Sequence, residues 1–254
     1  MAPPALRGLL LDFDGTIADT ERLGHRVAYN RAFAALGLGW EWDEPLYGDL
    51  LGVAGGKERI RHYLERFHPD MVEEAVASGL IPRIHQTKAR LFAEIAPRIP
   101  LRPGVERLVR EAKAAGILVA IATTAAGAGV EAVLAPSQLQ PSGFDLIAAD
   151  EQVAGKKPLP DVFLWAMDRL GLQASECVAL EDSNNGLRAA LAADLCTLVT
   201  VSDYTAGQDF TGAAAVLTSL GEAGEPAQVI AGPPPSGGVV DVAYLRSLLA
   251  AALR

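Results

Sequence analysis

Short runs of consecutive apolar residues alternate along the chain with stretches whose apolar positions recur every three or four residues. Residues 8–13 (GLLLDF), 117–124 (ILVAIATT), 144–149 (FDLIAA), 177–181 (CVALE) and 196–201 (CTLVTV) are short and continuously apolar, and predict buried strands. Between them, 105–115, 160–170 and 185–193 carry helical spacing. Strand, helix, strand at these intervals calls for parallel pairing through right-handed crossovers. The expected class is α/β: a doubly wound, mainly parallel, Rossmann-like sheet.

The alternation fails from residue 22 to 99, where only amphipathic helical patterns occur. Val27, Ala28, Phe33 and Leu36 mark one helix, and Ile60, Tyr63, Leu64 and Phe67 a second. A third is expected over 71–94, interrupted or kinked at Pro82. The chain therefore divides into an α/β core, 1–18 with 100–254, and an inserted all-helical cap domain, 19–99. Its exits are Asp19-Thr20-Glu21 and the proline-rich return at 97–104. Trp40 and Trp42 read as packing between cap helices. Near the end, Pro226, Pro233-Pro234-Pro235 and many glycines predict a loose linker over 221–238. Asp241 then N-caps a terminal helix with Leu245, Leu248, Leu249, Ala252 and Leu253 in one apolar stripe.

Half of the 254 residues are hydrophobic and 21% are charged, an ordinary globular balance. A net charge of −9 disfavours nonspecific nucleic-acid binding, which needs clustered Lys and Arg, yet leaves room for a small anionic substrate. Cys177 and Cys196 form neither a disulfide scaffold nor a CxxC zinc pattern, and sit in strand-like runs as plain buried thiols. The N-terminal residues lack a signal-peptide pattern, and no run approaches the ~20 apolar residues of a membrane span. The expectation is a soluble cytoplasmic protein, monomer or homodimer, with no membrane or nucleic-acid partner.

Candidate chemistry begins at Asp12-Phe13-Asp14-Gly15-Thr16, at the end of the first strand. Two carboxylates two positions apart point to one side of a strand, and Gly15 lets the chain turn at once. Close carboxylates repel unless a cation or a proton satisfies them. DxD alone is a common acidic turn; DxDGT after an apolar strand is far more specific. Leu180-Glu181-Asp182-Ser183 ends a later strand. Parallel strands present these ends at one edge, where ligands bind, so Glu181 or Asp182 can complete an oxygen-rich site with Asp12. Hard oxygen ligands of this kind suit Mg²⁺. The same run is an equally good helix N-cap before Asn185-Gly186. In Gly155-Lys156-Lys157-Pro158-Leu159-Pro160-Asp161 the prolines restrict the backbone, so an adjacent lysine can be held where it balances Asp12, although a solvated basic turn reads the same way. Thr123 and Thr124 offer hydroxyl and backbone donors at a strand end.

These four pieces, in this order, resemble the haloacid dehalogenase superfamily of aspartate-nucleophile phosphatases and phosphomutases. The resemblance implies that Asp12 is the nucleophile and Asp14 the general acid and base, with Thr123 and Lys157 binding the phosphoryl group. It implies Mg²⁺ held by the Asp12 carboxylate, the Asp14 carbonyl and Asp182, with Glu181 assisting. A narrower likeness lies in Gly55-Gly56-Lys57-Glu58-Arg59, His85-Gln86-Thr87-Lys88, Leu101-Arg102-Pro103-Gly104-Val105 and the run 202–210. These are similar to the CbbY-type phosphatases, which act on xylulose 1,5-bisphosphate. Asp19 stands where that group has glutamate, and Asp194 replaces a small residue. The likeness implies a small phosphorylated sugar as substrate, touched by Asp19, Thr124 and the cap residues Gly56, Lys57, Arg59, His85 and Lys88. The last five supply charge and N–H groups for a second phosphate. A sugar phosphomutase uses the same aspartates, and a non-catalytic phosphate sensor on this core is expected to have lost Asp12 or Asp14.

Two other patterns compete. Gly127-Ala128-Gly129-Val130-Glu131-Ala132 mimics a dinucleotide fingerprint, but that reading leaves DxDGT, KKPLPD and LEDS unexplained. Residues 52–57 suggest a P-loop but are one residue short, with Glu58 in place of Ser or Thr.

Overall fold

A computed structural model describes residues 5–53 and 55–254. The chain begins with β1 (Gly8–Leu11), then passes through a π-helical turn (Glu21–His25) into α1 (Arg26–Ala35), α2 (Glu44–Leu50), α3 (Gly56–Phe67), α4 (Val72–Ala77) and α5 (Leu80–Ile95). From α6 (Val105–Ala114) onward strands and helices alternate: β2 (Leu118–Ala122), α7 (Gly127–Leu134), β3 (Leu146–Ala148), α8 (Asp161–Leu170), β4 (Cys177–Glu181), α9 (Asn184–Ala192) and β5 (Cys196–Thr200). The chain ends with β6 (Ala215–Leu217), β7 (Val229–Ala231) and α10 (Val242–Ala252). It forms two compact units, one running to Asp19 and resuming over Pro100–Arg254, the other Thr20–Ile99.

The larger unit holds a seven-stranded sheet in the order β3-β2-β1-β4-β5-β6-β7. Every pairing is parallel except β6 with β7. Gly8 to Leu11 lie opposite Leu118 to Ile121 on one side and Cys177 to Leu180 on the other, so β1 is central and buried on both faces. On one face Leu10, Ala120 and Ala179 pack under Val162, Phe163 and Ala166 of α8 and Ala189 and Ala190 of α9. The helices α6 and α10 pack together, α6 also against β2 and α10 against β4 and β5. The five strands expected from the apolar runs are all present within a residue or two. Burial pushes the thiol of Cys177 up to about 12 and that of Cys196 up to about 11, which keeps both protonated and unreactive.

Four expectations need correction: two in the larger unit, one at Pro82 and the last at Phe67. The 221–238 segment is not wholly a linker: β7 lies in it and adds an antiparallel edge to the sheet through Val216 with Ala231 and Leu217 with Val229. Three-residue strands are too short for periodicity to reveal. Pro82 does not interrupt a helix; the break falls at Gly79, with φ +67°, and Pro82 lies in the first turn of α5, where no N–H is required of it. The terminal stripe is shorter than expected, since Leu245, Leu248 and Leu249 are buried but Ala252 and Leu253 are exposed. Asp241 does cap α10, its carboxylate accepting from the Tyr244 amide at 2.7 Å.

The smaller unit consists of helices joined by short loops, with no strand among its described residues. Trp42 is fully buried among Tyr29, Phe33, Tyr47 and Tyr63, with ring centroids 4.6–6.0 Å away. Phe67, expected on the apolar face of α3, is exposed instead and lies under the Arg66 guanidinium. The short α2 was not evident in the pattern; Asp43 starts it by accepting from the Leu46 amide at 2.8 Å.

Candidate active site

The sheet brings Asp12, at the end of β1, beside Glu181, the last residue of the adjacent β4. Leu10 and Ala179 are register partners, so residues two further on, Asp12 and Glu181, share that face. The Lys157 ammonium lies between them, 2.7 Å from Asp12 Oδ1 and 2.6 Å from Glu181 Oε1. Its third donor reaches the Ala122 carbonyl at the end of β2, at 2.9 Å. All three N–H bonds of the ammonium are thus satisfied by three strand ends. Lys156, its neighbour, faces outward to Asp150.

Burial governs the charges here. It raises the Asp12 carboxyl above its ordinary value, against the pull of Lys157. Burial likewise pushes Glu181 up to about 8. For Lys157, burial favours losing the proton, but Asp12 and Glu181 outweigh it and the ammonium is held above its usual range. Two acids and one base in a nearly dry site carry a net negative charge only once both acids are ionised, which for Glu181 means above about pH 8.

Asp182 follows β4 and accepts from the Ser202 hydroxyl at 2.9 Å. Gly15, with φ +86°, passes directly against this carboxylate, and any side chain there would strike Asp182. That close approach is the physical need for glycine in the DxDGT turn. Asp12, Glu181 and Asp182 each present a carboxylate oxygen, and these oxygens lie within 4.8 Å of one another. Glu181 Oε2 is buried with no hydrogen-bond partner. Three converging carboxylates, one with an orphaned oxygen, fit a hard divalent cation.

Thr123 is buried just past β2; its hydroxyl accepts from the Ala125 amide at 3.0 Å and keeps its own proton to donate. Asp14 and Thr124 are half-buried. The half-buried Asp19 carboxylate acts electrostatically on Arg102.

In the helical unit Gly56, Arg59, His85 and Lys88 come together around Tyr29, while Lys57 is exposed on α3. Arg59 turns inward, donating to the carbonyls of Leu50 and Val53 and to the Tyr47 hydroxyl at 3.2–3.4 Å. The Tyr29 hydroxyl donates to the Gly56 carbonyl at 3.3 Å, and a side chain at 56 would strike it and the His85 ring. The Lys88 ammonium lies 5.2 Å from the Tyr29 ring centre and 2.8 Å from His25 Nδ1.

The dinucleotide reading fails on geometry. The α7 N-terminus, where a pyrophosphate would dock, is met by Glu151, whose carboxylate accepts from the Gly127 amide at 3.2 Å. An anion already sits in that place.

The model of the haloacid dehalogenase-like hydrolase family matches residues 6–194. The chain belongs to this family. It is an enzyme, a phosphatase among the haloacid dehalogenase-like hydrolases. Protein CbbY (plasmid) of Cupriavidus necator is 46% identical to it over 225 residues, 87% of this chain and 88% of that protein. A crystal structure of CbbY from Rhodobacter sphaeroides in complex with phosphate aligns with a TM-score of 0.75 at 42% identity, covering 84% of this chain and 94% of that one. A mutant of that protein, in complex with xylulose-(1,5)bisphosphate, aligns equally well at 41% identity. The β-phosphoglucomutase of Clostridium difficile shares the fold, with a TM-score of 0.68 at 22% identity. Among the described residues, no helix of this hydrolase is long and apolar enough to cross a membrane.

Two residues of the site carried no assigned role in the sequence reading. Ser202 holds Asp182, and Arg102 grips the backbone beside it. Both fall in runs that carried the family likeness, but nothing in a local pattern marks an arginine there as turned in to backbone carbonyls.

Proposed function

We propose that this hydrolase is a Mg²⁺-dependent phosphatase acting on a sugar bisphosphate such as xylulose 1,5-bisphosphate. The observation that carries this reading is the buried Lys157 bridging Asp12 and Glu181 beside Asp182. The relative in complex with xylulose-(1,5)bisphosphate supports the substrate class.

In this reading Asp12 attacks phosphorus, forming an acyl phosphate as the bond to the sugar oxygen breaks. Asp14 gives its proton to the departing alkoxide, then takes one from the water that attacks the same phosphorus and releases Asp12. On substrate binding the Lys157 ammonium exchanges one of its three acceptors for a phosphoryl oxygen, and the Thr123 hydroxyl holds another, with Thr124 beside them. Mg²⁺ offsets the repulsion between an anionic nucleophile and an anionic ester. Its ligands in this proposal are the Asp12 carboxylate, the Asp14 carbonyl and Asp182, with Glu181 assisting. Asp182→Ala accordingly raises the Mg²⁺ concentration needed for half-maximal activity by at least about tenfold. Unchanged Mg²⁺ affinity by calorimetry would remove Asp182 from the site.

The helical unit serves as a cap that receives the second phosphate, through Lys57 with Gly56, Arg59, His85 and Lys88; Asp19 contacts the sugar. Lys57 is the position that discriminates, because Arg59 and Lys88 already hold neighbours within their own unit. Lys57→Ala lowers kcat/KM on the bisphosphate by about one to two powers of ten, the loss of one charged contact. Activity on p-nitrophenyl phosphate, which has no second phosphate, changes little. Equal losses on both would assign Lys57 to the fold. The reading as a whole is tested by a panel of sugar phosphates with Mg²⁺, following phosphate release against isomer formation. Release supports a phosphatase; isomer formation without release makes the enzyme a phosphomutase.

A further inference from the structure

We propose that Arg102 is a positioning residue that locks the DxDGT turn in the geometry in which Asp14 acts as a proton donor. The inference rests on the acid role of Asp14 proposed above. Arg102 lies on the return to the larger unit, where its amide donates to the Ile17 carbonyl at 2.8 Å and Leu101 bridges to Ala18. From there its guanidinium reaches three backbone segments. One nitrogen donates to the Gly15 carbonyl and, at 2.9 Å, to the Thr200 carbonyl at the end of β5. The other donates to the carbonyls of Val201 at 2.6 Å and Thr218 at 2.9 Å.

The Gly15 carbonyl is one residue from Asp14, and Gly15 is also the residue pressed against Asp182. Val201 is one residue from Ser202, which holds Asp182 from its other side. One planar fork thus holds the two backbones that flank Asp182, one of which is the turn that carries Asp14. A lysine cannot reproduce this, because its donors all diverge from one nitrogen, whereas the guanidinium sets two separate nitrogens in one plane against four carbonyls. Burial works against the guanidinium charge, and the carboxylates of Asp182, Asp19 and Asp203 oppose that cost. A half-buried arginine held mostly by backbone carbonyls also braces the fold, and leaving-group dependence separates that from a positioning role.

The separating readout is leaving-group dependence. Phenyl phosphate expels a poor leaving group and needs a proton from Asp14, whereas 4-nitrophenyl phosphate expels a stable anion and does not. For Arg102→Lys we expect kcat/KM to fall about 100-fold on phenyl phosphate and less than about tenfold on 4-nitrophenyl phosphate, the range of one general acid. Asp14→Asn, measured alongside, gives the same skew if the acid role is right. A skew in Asp14→Asn but equal losses in Arg102→Lys would overturn the positioning role alone. No skew in Asp14→Asn would overturn the acid role on which it rests. Arg102→Gln, which shortens the side chain and leaves one uncharged donor nitrogen, is expected to show the same skew with at least as large a loss. If neither variant folds, Arg102 is a fold determinant and the proposal is wrong.

Discussion

Asp12→Asn is expected to fold normally and to lose turnover by at least about four powers of ten, because an amide cannot form the acyl phosphate. The substitution is nearly isosteric, and the amide oxygen can still accept from Lys157, which lies 2.7 Å away. Stability is expected to hold or to rise in the metal-free protein. The wild-type carboxylate is buried and its pKa is raised by that burial, so its charge costs more there than in water. Lys157 keeps its pairing with Glu181 at 2.6 Å, so the ammonium is not left alone. The variant is therefore also the right form in which to measure substrate binding by calorimetry without turnover. Circular dichroism and thermal unfolding check the fold, and phosphate release checks the chemistry. A folded Asp12→Asn protein with near wild-type turnover would sink the mechanism.

How much of this was legible before any coordinates depends on the range of the interactions involved. Strands β1, β2, β4 and β5 announced themselves because parallel strands buried on both faces need unbroken apolar runs, and CVALE is bounded as the run suggested. DxDGT was legible because a strand end, two carboxylates and a glycine lie within five consecutive positions. The glycine's cause was not: Gly15 is squeezed by Asp182, far along the chain. Ser202 and Arg102 escaped assignment for the same reason. Their partners are backbone and carboxylate groups brought near only by the sheet order, and a hydroxyl or guanidinium in a loop has no local signature of burial. In the helical unit, charge at a helix start was a sound clue to where an anion would be welcome. It could not say that Arg59 turns inward to carbonyls while Lys57 stays exposed, since side-chain direction there depends on the loop before α3. The 221–238 segment was misread because its prolines and glycines dominate composition, whereas β7 needs only three residues to add an edge.

Lys157→Met is expected to injure both activity and stability, and the way these divide is informative. The ammonium is the positive group bonded directly to Asp12 and Glu181, and methionine preserves the stem packed near the Phe163 ring, 5.0 Å from the charge in the native protein. Removing one partner of a buried ion pair leaves charge uncompensated and typically costs about 3–5 kcal/mol. The carboxyls limit this loss by taking up protons; Glu181, already pushed up to about 8 by burial, does so first. Urea unfolding in chelator is expected to show the full loss, and unfolding with Mg²⁺ a smaller one, since a bound cation offers the acids another counter-charge. Adding Glu181→Gln should change the metal-free stability of this variant little, because that carboxyl already holds a proton once Lys157 is gone. It should not restore activity, which falls about 100-fold or more in kcat/KM when a phosphoryl oxygen loses its ammonium. If Lys157→Met were as stable as wild type in chelator and lost less than about tenfold in kcat/KM, the bridge would be incidental.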